Sequence, residues 1–249
     1  MTVLEWEVFC NFRNQYKKLC NHWENQFGNE LKILQKQAAA SDTPEYSIEH
    51  TVVYNKSLDE ITAQSEIKLI VIGDNPGKDE QLDKNQKYLV GQAGKLGDSF
   101  FKNNPELNID FRKNVIILNK TPVHTAKTKH LKYLLTNGSF EVKKLIEESQ
   151  LWMARKTAEL VSKLPNVSLW IVGYSELKEK GLFLGYKNEL KRWLVELPNG
   201  CYERLLVFQH FSMNRFSIDL KEYKSNNPLL TTDSLLKELG NFHKQEIFK

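Results

Sequence analysis

The sequence predicts an α/β fold, a three-layer α/β/α sandwich around a short, mostly parallel four-stranded sheet. Three observations predict it. Apolar runs at 67–72, 114–118, 168–172 and 204–208 show no polar alternation, as in strands buried on both faces of a parallel sheet. The intervening segments carry helical spacing, so strands and helices take turns along the chain. Each run also stops abruptly in polar or turn-forming residues: Gly73-Asp74-Asn75, Asn119, Gly173-Tyr174 and Gln209-His210.

Each element has its own signal. Over residues 3–38, Leu4, Val8, Phe9, Phe12, Tyr16, Leu19, Trp23, Phe27, Leu31 and Leu34 recur three or four apart, which predicts helix, with Gly28 dividing it in two. Trp6 and Trp23 read as helix packing. Residues 38–44 form a loop and 46–54 an extended segment. Gly73, Pro76 and Gly77 force a tight turn after the first strand, opening a polar loop over 73–92. A helix over 94–104 shows Leu96, Phe100 and Phe101 on one face. The second strand gives way to a polar, basic loop over 120–130, and a long helix follows at 139–163. Shorter helices are expected at 175–180 and 186–195. A final helix over 232–245 is capped by Thr232 or Asp233. Residues 1–60 read as an N-terminal helical extension packed on the core, and 61–249 as one globular α/β unit.

Bulk properties narrow the class. The chain has 249 residues, 41% hydrophobic, with a net charge of +4, ordinary for a globular protein with a sizeable core. Its three cysteines, Cys10, Cys20 and Cys201, form no C-x-x-C pair and no metal-ligand spacing. That suits a reducing cytoplasm, with no metal and no cofactor. The first residues lack the basic start and apolar core of a secretory leader. No stretch approaches a membrane span, and a monomer is expected.

In open α/β sheets ligands bind outside the carboxyl ends of the strands. Asp74, Asn75, Asn119 and His210 stand at three such ends and are expected to converge on one pocket. Six cations between 112 and 132 (Arg112, Lys113, Lys120, Lys127, Lys129 and Lys132) have no Asp or Glu among them. They predict a phosphate-facing surface.

Four segments, in order, resemble the uracil-DNA glycosylase superfamily. Gly73-Asp-Asn-Pro-Gly77 resembles its first motif, with Asn in the third position as in the mismatch-specific and single-strand-selective branches. Tyr88-Leu-Val-Gly-Gln-Ala-Gly94 resembles a segment of the thermophile-type branch. Val115-Ile-Ile-Leu-Asn119 resembles the strand whose terminal Asn reads uracil, and His210-Phe-Ser212 resembles the His-Pro-Ser motif. The resemblance covers about residues 65–220. It implies a monofunctional DNA-repair glycosylase acting on DNA that contains uracil or another deaminated base such as xanthine or hypoxanthine.

The chemistry fits those residue types. A flipped base is read in a pocket, and the Asn119 amide offers it a donor and an acceptor. By the resemblance, Asn75 positions the attacking water and His210 donates to the departing base by oxyanion-hole logic. Asp74 is the one carboxylate in the motif, and Gly73 belongs to the base pocket with it. The stacking partner falls to Tyr88 or is lost, because Leu89 stands where the family has Phe. Lys120, Thr121, Lys127, Lys129, Ser212, Asn214 and Arg215 are candidate DNA contacts, with Met213 as an apolar wedge or a packing residue. Phe211 replaces the Pro of the His motif, and three cysteines cannot hold an iron–sulfur cluster. Two further readings remain: a nucleic-acid-binding module without turnover, and an α/β enzyme binding a phosphorylated small molecule at the Gly73–Gly77 turn.

Overall fold

The computed structural model describes residues 1–198 and 200–249, with all side chains except that of Met213. The described residues form seven α-helices and four strands. These are α1 (Val3–Ala39), β1 (Leu69–Gly73), α2 (Gln92–Asn103), β2 (Val115–Asn119), α3 (Leu131–Asn137), α4 (Phe140–Lys163), β3 (Ser168–Val172), α5 (Leu184–Glu196), β4 (Leu205–Phe208), α6 (Arg215–Asn226) and α7 (Thr232–Ile247).

The strands pair in the order β2-β1-β3-β4, every pair parallel. Alternate strand residues face opposite ways. Ile70, Ile72, Ile116, Leu118, Leu169 and Ile171 join the core cluster under α1, α3, α4 and α5. Leu69, Val71, Val115, Ile117, Trp170 and Phe208 join the cluster under α2, α6 and α7. The sheet is therefore the middle of three layers. The chain leaves β1 toward β2 with α2 on one face, then returns past β1 to β3 with α3 and α4 on the other, as right-handed crossovers require. The winding reverses between β1 and β3, so the switch point of the sheet lies between their carboxyl ends.

Helix α1 runs unbroken through Gly28 for 37 residues, about 55 Å of helix. An interior glycine costs about 1 kcal/mol, while each large apolar side chain buried contributes about 1.5–3 kcal/mol. Phe9, Phe12, Tyr16, Trp23, Leu31 and Leu34 are all buried, so packing outweighs the break. Thr2 and Glu5 close a capping box at its start. The helix shares one cluster with the sheet.

The extended segment expected over 46–54 makes a single antiparallel bridge, Val52 with Val123. Helix α7 is capped one residue early, by Thr231, whose hydroxyl accepts the Ser234 N–H. Helices α3 and α6 were not expected. Helix α3 spans two turns, and α6 buries only Phe216 and Leu220, so neither carries much periodic signal. No described helix is long and apolar enough to cross a membrane.

Candidate functional site

A cleft of about 570 Å³ opens at the carboxyl ends of the strands. Asp74 and Asn75 enter it after β1, Asn119 ends β2, Ser175 and Glu176 follow β3, and His210 and Ser212 follow β4. The polar residues expected at three separate strand ends therefore share one cavity.

Parallel register sets Asn119 directly beside Gly73. A Cβ at position 73 would lie 2.5 Å from Asn119 Oδ1, so the motif glycine leaves room for the amide. Asn119 is 2% exposed, and its Nδ2 has no hydrogen-bond partner among the described residues. An unpaired buried donor costs about 1–3 kcal/mol. The Asn119 side chain lines the cleft, and a buried donor without a partner is a candidate to meet an acceptor on a ligand there.

Asn75 is held the other way round. Its Nδ2 donates to Thr125 Oγ1 at 2.8 Å and to the Val123 carbonyl at 3.3 Å. That commits the nitrogen to the loop after β2 and leaves Oδ1 as the acceptor for a water or ligand. His210 Nδ1 accepts the Ser212 N–H at 3.1 Å, with Ser212 Oγ 2.7 Å away. A neutral ring with Nδ1 as acceptor carries its proton on Nε2. Burial lowers the pKa of His210; nearby Asp74 opposes that shift and Lys120 adds to it. The ring is thus a neutral Nε2–H donor.

Lys120 is not a phosphate contact. It is fully buried, and Nζ donates to Asp74 Oδ1 at 2.6 Å and to the carbonyls of Gly73 and Gly173 at 3.3 and 3.2 Å. Three acceptors satisfy the ammonium, and the Phe183 ring lies 5.2 Å from it. Asp74 Oδ2 accepts a hydrogen bond from Thr128 at 3.3 Å. Gly173 has φ +92°, and a Cβ there would approach Asp74 Oδ1 to 3.0 Å and His210 Cδ2 to 3.1 Å. This glycine makes room where the carboxylate and the imidazole come together.

Three other expectations are corrected. Thr121 is buried and paired with Ser149 Oγ at 2.7 Å, so its hydroxyl does not face a phosphate. Tyr88 is 1% exposed and turned inward, its hydroxyl donating to the Val53 carbonyl and pairing with Tyr16. Leu89 lines the cleft instead, at φ +51°. No Phe, Tyr or Trp lines the cleft among the described residues. The basic run is also compensated from afar. Asp42, just beyond α1, pairs with Lys127 at 3.2 Å, Lys129 at 2.5 Å and His130 at 2.9 Å. Arg112 donates to the Leu89 carbonyl, and Lys113 lies 3.6 Å from Asp110.

Lys127 nonetheless lines the cleft, and Lys129 is exposed near it in sequence. Asn214 and Arg215 are exposed where α6 begins. The Met213 side chain lies outside the described residues. Glu80 also lines the cleft and was not expected there. It sits in a polar loop crowded with charges, where no periodicity separates a buried acid from a solvated one. Neither the family models nor the curated proteins contain a match to this chain.

Proposed function

We propose that the chain is a monofunctional DNA glycosylase that hydrolyses the N-glycosidic bond of uracil or a related deaminated base flipped out of DNA. One observation carries this reading. An unpaired buried amide, a neutral imidazole N–H donor and an anchored amide oxygen line one cleft at the switch point of a parallel sheet. Asn119 Nδ2 donates to a carbonyl on the base edge. His210 Nε2–H donates to the base oxygen that gains negative charge as the bond to the sugar breaks. Asn75 Oδ1 holds the water that adds to the sugar carbon, and the water's proton leaves to solvent or to the departing base. The Asp74 carboxylate lies beside His210 and favours the positive charge developing on the sugar.

Asn75 cannot take a proton, and a general base contributes roughly 10²–10⁴-fold. The reading therefore entails slow chemistry. The enclosed Lys120 is unsuited to forming a covalent link to the sugar, which supports hydrolysis without strand cleavage. The exposed Lys129 and Arg215 are the candidate backbone contacts.

A second reading is a nucleic-acid-binding module without turnover. It is favoured by the absence of a stacking ring in the cleft among the described residues. Base release from labelled single-stranded and U:G duplex oligonucleotides, scored by alkaline cleavage at the abasic site, separates the two. Release by the wild type, lost in Asn75→Ala and His210→Ala, supports the glycosylase. Salt-sensitive DNA binding without release from uracil or a panel of other deaminated bases supports the module.

A further inference from the structure

Glu80 has no part in the chemistry above, yet it lies between two walls of the cleft. It is 8% exposed. Its Oε2 accepts the Gly77 N–H at 2.8 Å, and its Oε1 accepts the Leu89 N–H at 2.6 Å. Gly77 closes the turn that carries Asn75, and Leu89 forms the wall where a stacking ring would stand. No helix or strand joins these segments among the described residues, since none lies between β1 and α2. Leu89 is also gripped from its other side, its carbonyl accepting from Arg112 Nη2 at 2.8 Å. That carbonyl packs on Gly94, where a Cβ would come within 1.4 Å of the oxygen. Leu89 is thus fixed at both N–H and C=O in a backbone region that leucine rarely adopts.

We propose that Glu80 is a positioning residue whose carboxylate spans the 73–92 loop, setting Leu89 against the bound base while fixing the turn that carries Asn75. The catalytic consequence rests on the glycosylase reading; the clamp itself does not. The charged or titratable groups facing Glu80 are Asp79, Tyr88 and Arg112. Burial pushes its carboxyl up to about 7, against the pull of the Gly77, Leu89 and Val90 N–H groups. The closed loop holds the carboxyl proton more tightly than the open chain does, so the clamp loosens as pH rises to about 7.

The test is amide-exchange protection at Gly77 and Leu89 in the full chain, read by NMR across that pH range, with base release measured in parallel. Glu80→Ala should lower protection at both amides by about tenfold or more, while Val71 in β1 is unchanged. Glu80→Gln has one carbonyl oxygen and should release one of the two amides. It should also flatten a wild-type kcat that falls as pH rises to about 7, with KM little changed. Unchanged protection at both amides in both variants overturns the proposal, as does a loss shared equally by Val71. Protection that behaves as expected, with no base release from the wild type, upholds the clamp and removes the glycosylase reading instead.

Discussion

The cleft has two sides of different construction. On one side, Asn119, Asp74 and His210 stand at strand ends whose register is set by the sheet. Their spacing is supported by many backbone hydrogen bonds and by glycines at 73 and 173 that admit the side chains. On the other side, Leu89 is held by a loop with no regular structure, through one buried carboxylate and one guanidinium. The first side is rigid because the whole core would have to move with it. The second depends on the protonation state of a single acid. A site built this way keeps its polar readers fixed and concentrates its adjustable contact in one wall.

Four perturbations would break or sharpen this contrast. The largest effect is expected on the strand side. Lys120→Met leaves the Asp74 carboxylate without its buried cation and should lower unfolding stability by about 3–5 kcal/mol, measured by urea denaturation. Asp74→Leu in the same chain should recover most of that loss. A decrease under 1 kcal/mol in the single variant would mean that the pair does not hold the strand ends.

The loop side should declare itself through pH. The ordinary carboxyl value of Glu80 is 4.5, and burial raises it to about 7 in the fold. The folded protein therefore keeps a proton that the unfolded chain has lost between those values. This stabilising contribution is whole below about pH 4.5 and is lost as pH rises to about 7, on the order of 3 kcal/mol in all. Relative to Glu80→Gln, the wild type should lose stability over that window and stay level above it. A difference that stays flat with pH would place the Glu80 carboxyl at its ordinary value.

A smaller effect is expected at the register itself. Gly73→Ala drives a Cβ against Asn119 Oδ1 and should cost about 1–3 kcal/mol. Base release should fall further than that destabilisation accounts for, because the amide is displaced. The smallest effect is at the rim. Lys129→Ala removes an exposed partner of Asp42 and should leave the melting temperature unchanged, while flattening the salt dependence of DNA binding by about one unit of slope. An unchanged slope would remove Lys129 from the interface.

The contrast also explains what the sequence disclosed. Strand ends were legible because an apolar run that stops at Gly73-Asp74-Asn75 or at Gln209-His210 announces both the strand and its polar terminus. The meeting of Asn75, Asn119 and His210 followed from the rule for parallel sheets. Partners across the sheet were not legible. Lys120 reads as one more cation in a basic run, and only the parallel pairing of β1 with β2 brings it to Asp74. Asp42 lies far from Lys127 and Lys129 in sequence, so their compensation was hidden. Which of Tyr88 and Leu89 faces the cleft depends on a left-handed backbone at Leu89, a conformation that no glycine or asparagine signals there.

The most direct test of the central claim is the side-chain amide resonance of Asn119 during titration with an oligonucleotide carrying a 2′-fluorinated deoxyuridine, which resists hydrolysis. The account predicts a saturable shift of that resonance, absent with an all-thymidine strand and accompanied by a shift at His210. An Asn119 amide that does not respond, or responds equally to both strands, would contradict it.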